Sequence, residues 1–335
     1  MRNIYDLTIK ELEDYFISIN EKKFRAVQVY EALYKRRIKS FDDMTNISKE
    51  VREKLKQDFS FYKIKMLIKQ KGKNVNKYLF ELEDGNKIES VLMFHDYGTS
   101  ICVSSQVGCN MTCAFCESGR LKKVRNLLAY EIVQQILQIE EDINKRITHV
   151  VLMGIGEPFD NYDNVLRFVK IINCGQGIDI GSRHITICGV IPGIKKFMNE
   201  EGQVNLAISL HAPNDALRSR IMPINKAYPL NELMETIKEY INKTNRRVTF
   251  EYIMLDNVND SEENAKELAL LLKGINCYVN LIPYNETENI EFKRTKEWKI
   301  MKFYDILKKN KINVTIRKEF GGSVDAACGQ LRANN

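Results

Sequence analysis

The sequence has no long apolar segment. No stretch of its 335 residues approaches the roughly 18 consecutive apolar residues that a membrane-spanning helix requires. The first six residues, MRNIYD, also lack the apolar core of a secretory signal. These two absences predict a protein of the cytoplasm that has no membrane partner.

Cysteine is scarce, and no second cysteine pair accompanies the one cluster that exists. The chain has eight cysteines in 335 residues, three of them close together, which suits a reducing compartment where thiols serve as ligands and reagents. The formal net charge is only +7, so a polyanionic partner is permitted but not required. Composition alone therefore indicates a globular protein with one large domain and one small one.

The cysteine cluster has the spacing C-x3-C-x2-C, formed by Cys109, Cys113 and Cys116. Three thiolates on one tight loop can ligate three irons of a [4Fe-4S] cluster and leave the fourth iron open to a small molecule. A structural zinc site is the main alternative, but it needs four ligands that usually come as two pairs. The only other thiol nearby is Cys102. Iron is therefore the favoured metal, with zinc or plain buried cysteines as the alternatives.

Residues 1–75 are predicted to form a small helical domain. Helical spacing of apolar residues is clear in two stretches, and the second, residues 22–39, has an apolar side and a basic side. The basic side has two interpretations of equal weight, a solvated helix surface or a contact with an RNA backbone. Its basic residues are Lys22, Lys23, Arg25, Lys35, Arg36, Arg37 and Lys39.

Residues 76–94 are predicted to form a β-hairpin linker. Two short runs with β character flank Asp84-Gly85, which is a common hairpin turn. Glu89 lies in the second run, where a glutamate most often faces solvent.

Between residues 95 and 321, short apolar runs alternate with amphipathic segments, which is typical of successive βα units. The predicted strands cover residues 101–105, 149–153, 185–187, 206–210, 248–255, 279–282 and 314–316. The predicted helices cover residues 129–141, 163–172, 194–199, 230–242, 261–272 and 298–309. About six units are too few for the closed eight-fold barrel. We therefore predict an α/β fold, an open partial (β/α)6 barrel.

Chemistry in such barrels gathers at the carboxyl ends of the strands. The second strand is followed by Gly154, Gly156 and Glu157, where glycines let the backbone approach a ligand and the carboxylate can accept hydrogen bonds from an ammonium group. The fourth strand ends in Ser209 and His211, and the sixth runs into Asn285. Each feature also has an ordinary structural explanation, such as a tight turn or a buried hydrogen-bonded histidine.

The C-terminal segment, residues 322–335, carries Cys328 between small neighbours and a following glycine. In this setting Cys328 has two interpretations of equal weight, a reactive and accessible thiol or an inert one, because the reactivity of a thiol depends on its thiolate character. Cys174, Cys188 and Cys277 are interpreted as small core or surface residues.

Six segments together resemble the RlmN/Cfr family of radical S-adenosylmethionine (SAM) RNA methyltransferases, almost from end to end. They are residues 102–109 (CVSSQVGC), 154–158 (GIGEP), 209–214 (SLHAPN), 222–225 (MPIN), 280–283 (NLIP) and 325–331 (DAACGQL). Phe115, directly before the third cysteine, also fits radical SAM enzymes. The segments at 157–158 and 211–214 are more similar to the RlmN branch, which methylates adenine C2, than to the Cfr branch, which methylates C8.

The resemblance implies a radical SAM core at residues 95–321 with one [4Fe-4S] cluster and two SAM molecules per turnover. One SAM would methylate Cys328, and a second would be cleaved to a radical that activates the methyl group for addition to adenine. Cys102 would then release the adduct by attack on the Cys328 sulfur, and Glu89 would accept the C2 proton. The implied cofactor-binding residues are Gly156, Glu157, Thr186, Ser209, Leu210, His211 and Asn285.

The implied partners are 23S rRNA near the peptidyl-transferase centre, in some members also tRNA beside the anticodon, and an electron-donor reductase such as flavodoxin or ferredoxin. The helical domain would act as an RNA clamp on a monomeric enzyme.

Two departures from the family pattern leave alternatives open. Residues 185–189 (ITICG) stand where the family usually has Ser-Thr-Ser-Gly, so Thr186 takes the place of a serine. Residues 117–123 (ESGRLKK) replace a stretch that is usually less charged. The alternatives are C8 methylation, a divergent paralogue that acts on another RNA, and a non-catalytic RNA-binding protein with a structural metal.

Overall fold

The computed structural model describes residues 1–287 and 289–317. Cys328 and the predicted C-terminal segment 322–335 lie outside the described residues. No helix among the described residues is long and apolar enough to cross a membrane.

The N-terminal part of the chain forms three helices, α1 Ile9–Ser18, α2 Phe24–Tyr34 and α3 Lys49–Asp58. The first begins at a capping box, in which the Glu11 backbone N–H donates to the Thr8 hydroxyl and the Thr8 backbone N–H donates to the Glu11 carboxylate. Such reciprocal hydrogen bonds satisfy amide groups that have no partner within the helix. Helical spacing then buries Leu12 and Phe16.

The helical region is shorter than predicted. Residues 1–75 were expected to be helical, but Lys65–Gly72 is a strand that pairs with the following strand, Val75–Glu81. The prediction was wrong here because Met66, Leu67 and Ile68 are consecutive, whereas a helix would space its apolar residues by three and four.

The main sheet has ten strands in simple sequence order from β1 to β10. The strands are β1 Lys65–Gly72, β2 Val75–Glu81, β3 Lys87–His95, β4 Gly98–Cys102, β5 His149–Leu152, β6 Ile185–Cys188, β7 Asn205–Ser209, β8 Val248–Met254, β9 Cys277–Pro283 and β10 Asn313–Ile316. The predicted hairpin is present, since Asp84-Gly85 joins β2 to β3 and Gly85 has φ +79°. It is no separate linker, however, because β1 and β4 pair with its two sides.

Strands β4 to β10 are parallel to one another and are connected by helices. These helices are α4 Ala129–Ile143, α5 Tyr162–Ile172, α6 Ile191–Phe197, α7 Asp215–Ile221, α8 Leu230–Thr244, α9 Glu262–Leu271 and α10 Glu297–Lys309. The prediction missed α7, which is only seven residues long. Because β1 and β10 form the two ends of the sheet, the predicted open, partial (β/α)6 barrel is confirmed.

Register brings residues from distant parts of the sequence into rows across the sheet. Cys102 pairs with Val151, and Val151 pairs with Thr186. Side chains that are opposite each other in neighbouring strands share a face, so such a row continues across the inner surface of the barrel. In the same way Glu251 lies between Ser209 and Asn280.

Candidate active site

The cysteine loop follows β4 and is held by backbone hydrogen bonds on two sides. The Cys109 N–H donates to the Leu121 carbonyl at 2.9 Å, and the Ala114 N–H donates to the Ile221 carbonyl at 2.9 Å. Before the first cysteine, Gly108 has φ +72°, and a Cβ there would lie 2.2 Å from the Lys122 carbonyl oxygen. Only glycine fits this close approach, so the loop is held tightly against residues 121–123.

All three loop cysteines line one cavity of about 180 Å³ inside the barrel. The cavity is also lined by residues at the carboxyl ends of successive strands, as parallel strands require. Among the predicted site residues these are Gly156, Glu157, Ser209 and His211. The structure therefore brings seven of the predicted site residues together.

The three thiols are suitable ligands for iron. Burial raises the pKa of Cys109 to about 11 and, together with the neighbouring thiols of Cys116 and Cys109, raises that of Cys113 further. Without a metal the thiols of Cys109 and Cys113 are protonated at neutral pH, and metal binding would release these protons. Three sulfur donors on one loop match three irons of a [4Fe-4S] cluster. Within the described residues no group of three or more His, Cys, Asp and Glu side chains is placed to hold a single metal ion, and the three thiols are proposed to bind three different irons.

Gly156 and Glu157 form the wall that follows β5. Gly156 has φ +108°, and a Cβ there would lie 2.6 Å from the Gln106 side chain, so a larger residue is excluded. The Glu157 N–H donates to Gln106 Oε1 at 2.9 Å, and the Glu157 carboxylate accepts from the Phe159 N–H at 3.0 Å. Burial raises the pKa of Glu157 to about 8. A cation bound in the cavity would favour its ionised form.

His211 follows β7 and adopts φ +57°. Its Nδ1 accepts the Ile253 N–H at 3.0 Å, which leaves the ring proton on Nε2. Its ring contacts Phe115 edge-on, with ring centroids 4.9 Å apart. Burial, and then the charge of Arg218, lower the pKa of His211 to about 3. The imidazole is therefore neutral and fixed in orientation.

Three predicted cofactor residues do not line the cavity. Thr186 lies on β6 two residues before Cys188, which does line the cavity. The Leu210 side chain is fully buried, and its carbonyl accepts from Arg218 Nε at 3.2 Å. Asn285 lies beyond β9. The cofactor roles of Thr186, Leu210 and Asn285 stay predictions.

Cys188, interpreted from the sequence as a small core or surface residue, is instead part of the cavity lining. Its Sγ lies 3.3 Å from Ser209 Oγ, and both residues line the cavity. Burial raises its pKa to about 12, so this thiol is neutral. Strand alternation could have indicated this position. Cys188 is two residues after Thr186, so both side chains share one face of β6, and Cys188 is closer to the carboxyl end of that strand.

Three charged residues in the cavity wall were also missed. They are Arg218, Glu251 and Arg317. Glu251 is buried and accepts from Asn280 Nδ2 at 2.8 Å, while Arg218 donates to Asn225 Oδ1 at 2.8 Å. Burial raises the pKa of Glu251, and the charge of Arg317 opposes that change. Charged residues inside strands or short helices carry no sequence signal that separates the inner from the outer face.

Cys102 and Glu89 lie on β4 and β3, beside the cavity and not in its lining. Cys102 is buried against Val91, Val151 and Met153, and Met153 lines the cavity. Glu89 forms an ion pair with Lys77 at 2.9 Å, and both side chains are nearly inaccessible to solvent. The general expectation that a strand glutamate faces solvent is therefore wrong for Glu89.

Comparisons with known proteins agree along the whole chain. Residues 2–60 match the ribosomal RNA large subunit methyltransferase N-terminal domain, and residues 103–269 match the radical SAM superfamily. The chain is 52% identical over 341 residues to a probable dual-specificity RNA methyltransferase RlmN of Spiroplasma citri, covering 100% of this chain and 98% of the relative. A Streptococcus thermophilus protein of the same description is 54% identical over 343 residues, covering 99% and 88%.

The fold has an equally good match among solved structures. The crystal structure of a radical SAM methyltransferase from Sphaerobacter thermophilus covers 100% of both chains with 40% identity and a TM-score of 0.94. The superfamily implies a [4Fe-4S] cluster and SAM, and the three thiols in the cavity fit that requirement. The chain belongs to the RlmN family of radical SAM RNA methyltransferases.

Proposed function

We propose that this enzyme methylates C2 of adenosine in RNA, in 23S rRNA near the peptidyl-transferase centre and in tRNA beside the anticodon. The observation that carries the proposal is the single cavity lined by Cys109, Cys113, Cys116, Glu157 and His211 in a chain of this family. Adenine C2 has no electron pair to accept a methyl cation, so ordinary transfer from SAM is unsuitable. A radical route avoids this difficulty.

Cys109, Cys113 and Cys116 would hold the cluster, which when bound supplies the electron that cleaves SAM. Gly156 lets the backbone approach the cofactor, and Glu157 accepts hydrogen bonds from its ammonium group. Further contacts would come from cavity residues and from the strand ends beside them, in this proposal Thr186, Ser209, Leu210, His211 and Asn285. Each of these residues binds or orients the cofactor and keeps water away from it.

Two thiols and one carboxylate would act on the methyl group and the base. Cys328 carries the methyl group, Glu89 takes the C2 proton, and Cys102 attacks the Cys328 sulfur so that a disulfide forms as the product leaves. Cys102 is next to Met153 of the cavity wall. Cys328 follows Arg317, another cavity residue, by eleven residues, and a chain of that length spans at most about 38 Å. The distance therefore allows Cys328 to reach the cavity.

Each turnover would consume two SAM molecules, one for Cys328 and one for radical formation. An electron donor such as flavodoxin or ferredoxin would reduce the cluster, and the enzyme would act as a monomer. Helices α1 to α3 would form the RNA-binding accessory domain, and the hairpin of β2 and β3 would carry Glu89. Residues 95–321 would form the catalytic core, and residues 322–335 would carry Cys328.

The deciding experiment is anaerobic reconstitution with iron and sulfide, followed by incubation with unmodified RNA, SAM and dithionite and mass spectrometry of the nucleosides. We expect 2-methyladenosine. An 8-methyladenosine product would contradict the proposed regiochemistry, and cofactor cleavage without any methylated nucleoside would contradict the proposed substrate.

The thiol roles are tested with two variants and a control. Cys328→Ala should abolish methyl transfer, and Cys102→Ala should accumulate a covalent protein–RNA adduct on denaturing gels. Cys277→Ala removes a buried thiol at the start of β9, away from the cavity lining, and should keep activity. A fully active Cys328→Ala enzyme would refute the methylcysteine mechanism.

A further inference from the structure

Five basic residues surround the cysteine loop. Three lie in the segment that follows the loop, and two lie in and after α7 on its other side. We call them the loop rim; its members are Arg120, Lys122, Lys123, Arg220 and Lys226. Arg120, Lys122, Arg220 and Lys226 are exposed, and Lys123 is half-buried.

The backbone that carries the loop rim is anchored to the cysteines. The Leu121 carbonyl accepts from the Cys109 N–H, and the Lys123 N–H donates to Asn110 Oδ1 at 3.3 Å. On the other side, the residue after Arg220 is Ile221, whose carbonyl accepts from the Ala114 N–H at 2.9 Å. The backbone positions that carry these cations are therefore held next to the cysteine loop.

Rim charges are not neutralised within the part of the chain that the structure describes. None of the five forms an ion pair with a described residue, although Arg120 donates to the Asn289 carbonyl at 2.6 Å. Basic residues elsewhere often do pair, as in Lys299 with Asp256 and Lys302 with Glu262. A cluster of unpaired cations creates a positive potential that attracts a polyanion.

We propose that the loop rim binds the phosphates of the RNA substrate and positions the target adenosine over the cavity. This inference rests on the proposed function for the identity of the RNA, and it adds phosphate contacts at a place separate from the N-terminal helical region. Phosphate contacts fix the register of a nucleic acid without reading its sequence.

RNA is favoured over an acidic protein because of where the cations lie. Lys226 follows Met222 and Ile224, which line the cavity, in the segment after Ile221, whose carbonyl accepts from Ala114. Lys122 and Lys123 follow Leu121, whose carbonyl accepts from Cys109 at the other point where the cysteine loop is held. An adenosine must leave its stack to enter the cavity, so the phosphates on its two sides must lie at the edge of the opening. Cations on both sides of the loop suit a strand that crosses it.

The test uses a pair of matched double variants in the reconstituted holoenzyme. Lys122→Ala with Lys123→Ala removes two rim lysines, and the control, Lys238→Ala with Lys273→Ala, removes two exposed lysines, one on α8 and one directly after α9. Neither pair takes part in an ion pair with a described residue. The probe is an unmodified transcript of the peptidyl-transferase region of 23S rRNA, and binding is measured from about 0.05 to 0.3 M salt.

The rim variant should bind RNA about tenfold more weakly near 0.15 M salt, and its plot of log K against log salt should lose about 2 units of slope. The control should stay within about twofold of wild type. RNA-independent cleavage of SAM by dithionite should be equal in all three proteins, since the cluster and its cavity are unchanged. A second rim pair, Arg220→Ala with Lys226→Ala, should behave like the first.

Three results would overturn the inference. One is an unchanged affinity and salt slope in both rim variants. Another is an equal loss in the Lys238/Lys273 control, which would show that net charge, and not the place of the loop rim, determines the RNA affinity. A third is normal RNA binding with slower cluster reduction by flavodoxin, which would assign the surface to an acidic electron donor. Wild type could make no 2-methyladenosine while the rim variants still bind RNA more weakly than wild type does. That result would refute the proposed function and support RNA binding by the loop rim.

Discussion

Two regions of the molecule are rich in basic residues, and they differ in how many of these residues are paired with carboxylates. In the stretch 22–39, four of seven basic residues form ion pairs with carboxylates: Lys23 with Glu13, Arg25 with Glu21, Lys35 with Glu31 and Arg37 with Glu140. In the loop rim, none of the five pairs with a described residue. A cation already paired with a carboxylate contributes less to phosphate binding, so counts of lysine and arginine do not locate an RNA site.

The difference also concerns structure. Two of the N-terminal contacts, Arg37 with Glu140 of α4 and Glu11 with Arg167 of α5, join the helical region to the barrel. The cysteine loop is instead held by backbone hydrogen bonds and by Gly108, so its side chains remain available for ligands. We therefore expect substitutions in the loop to affect chemistry and substitutions in the helical region to affect stability.

The largest expected effect is the loss of the cluster. Cys113→Ala removes one of three thiols in the cavity and should abolish bound [4Fe-4S] and cleavage of SAM, because two thiolates cannot hold the cluster. Iron content and 5′-deoxyadenosine release measure the effect. Cys174→Ala, near the helical region, is the control and should keep both. A Cys113→Ala protein that retains iron and activity would contradict the ligand assignment.

Arg37→Ala should destabilise the fold without changing cluster content. Glu140 is buried and depends on Arg37 for its counter-charge, so removal of the guanidinium should cost about 2 kcal/mol of unfolding free energy. Urea denaturation measures the cost. Burial raises the pKa of Glu140, and the charge of Arg37 opposes this change. The double variant Arg37→Ala with Glu140→Gln should therefore recover part of the stability that Arg37→Ala loses. No difference between wild type and Arg37→Ala would show that the contact contributes nothing.

A smaller effect is expected from Glu11 and depends on pH. Burial alone would raise the pKa of this carboxyl, but hydrogen bonds from Arg167 and Thr8 lower it to about 2. A lowered pKa means that the contribution is complete above the ordinary value of 4.5 and disappears as the pH falls toward 2. Since a third of the side chain is exposed, we expect about 1 kcal/mol.

Thermal unfolding of wild type and Glu11→Gln between pH 6 and pH 3 tests this expectation. The difference in stability between the two proteins should become smaller as the pH falls. The control Glu13→Gln, whose partner Lys23 is exposed, should show little difference at any pH. A stability difference that does not change with pH would mean that the Glu11 charge is not its cause.

Much of the architecture was predictable from local pattern. Helices α4, α5 and α8 begin within one residue of their predicted starts, because amphipathic spacing continues over three turns or more. The same reasoning failed for β1 and missed α7, since short elements are fixed by their neighbours. The three cysteines and the strand-end residues were recognisable because parallel strands gather their carboxyl ends.

The sequence by itself determined the cysteine spacing, the order of βα units and the family motifs, since these depend on residues that are close in the chain. Only the tertiary structure decided that Glu89 is buried against Lys77 and that Cys188 faces Ser209. It also decided that four of the seven basic residues at 22–39 are paired, while none of the loop rim is paired with a described residue. Lys77 and Glu89 are on different strands, and Arg37 and Glu140 are 103 residues apart. Burial and pairing are properties of the assembled fold, because they depend on which distant side chains it places within a few ångströms.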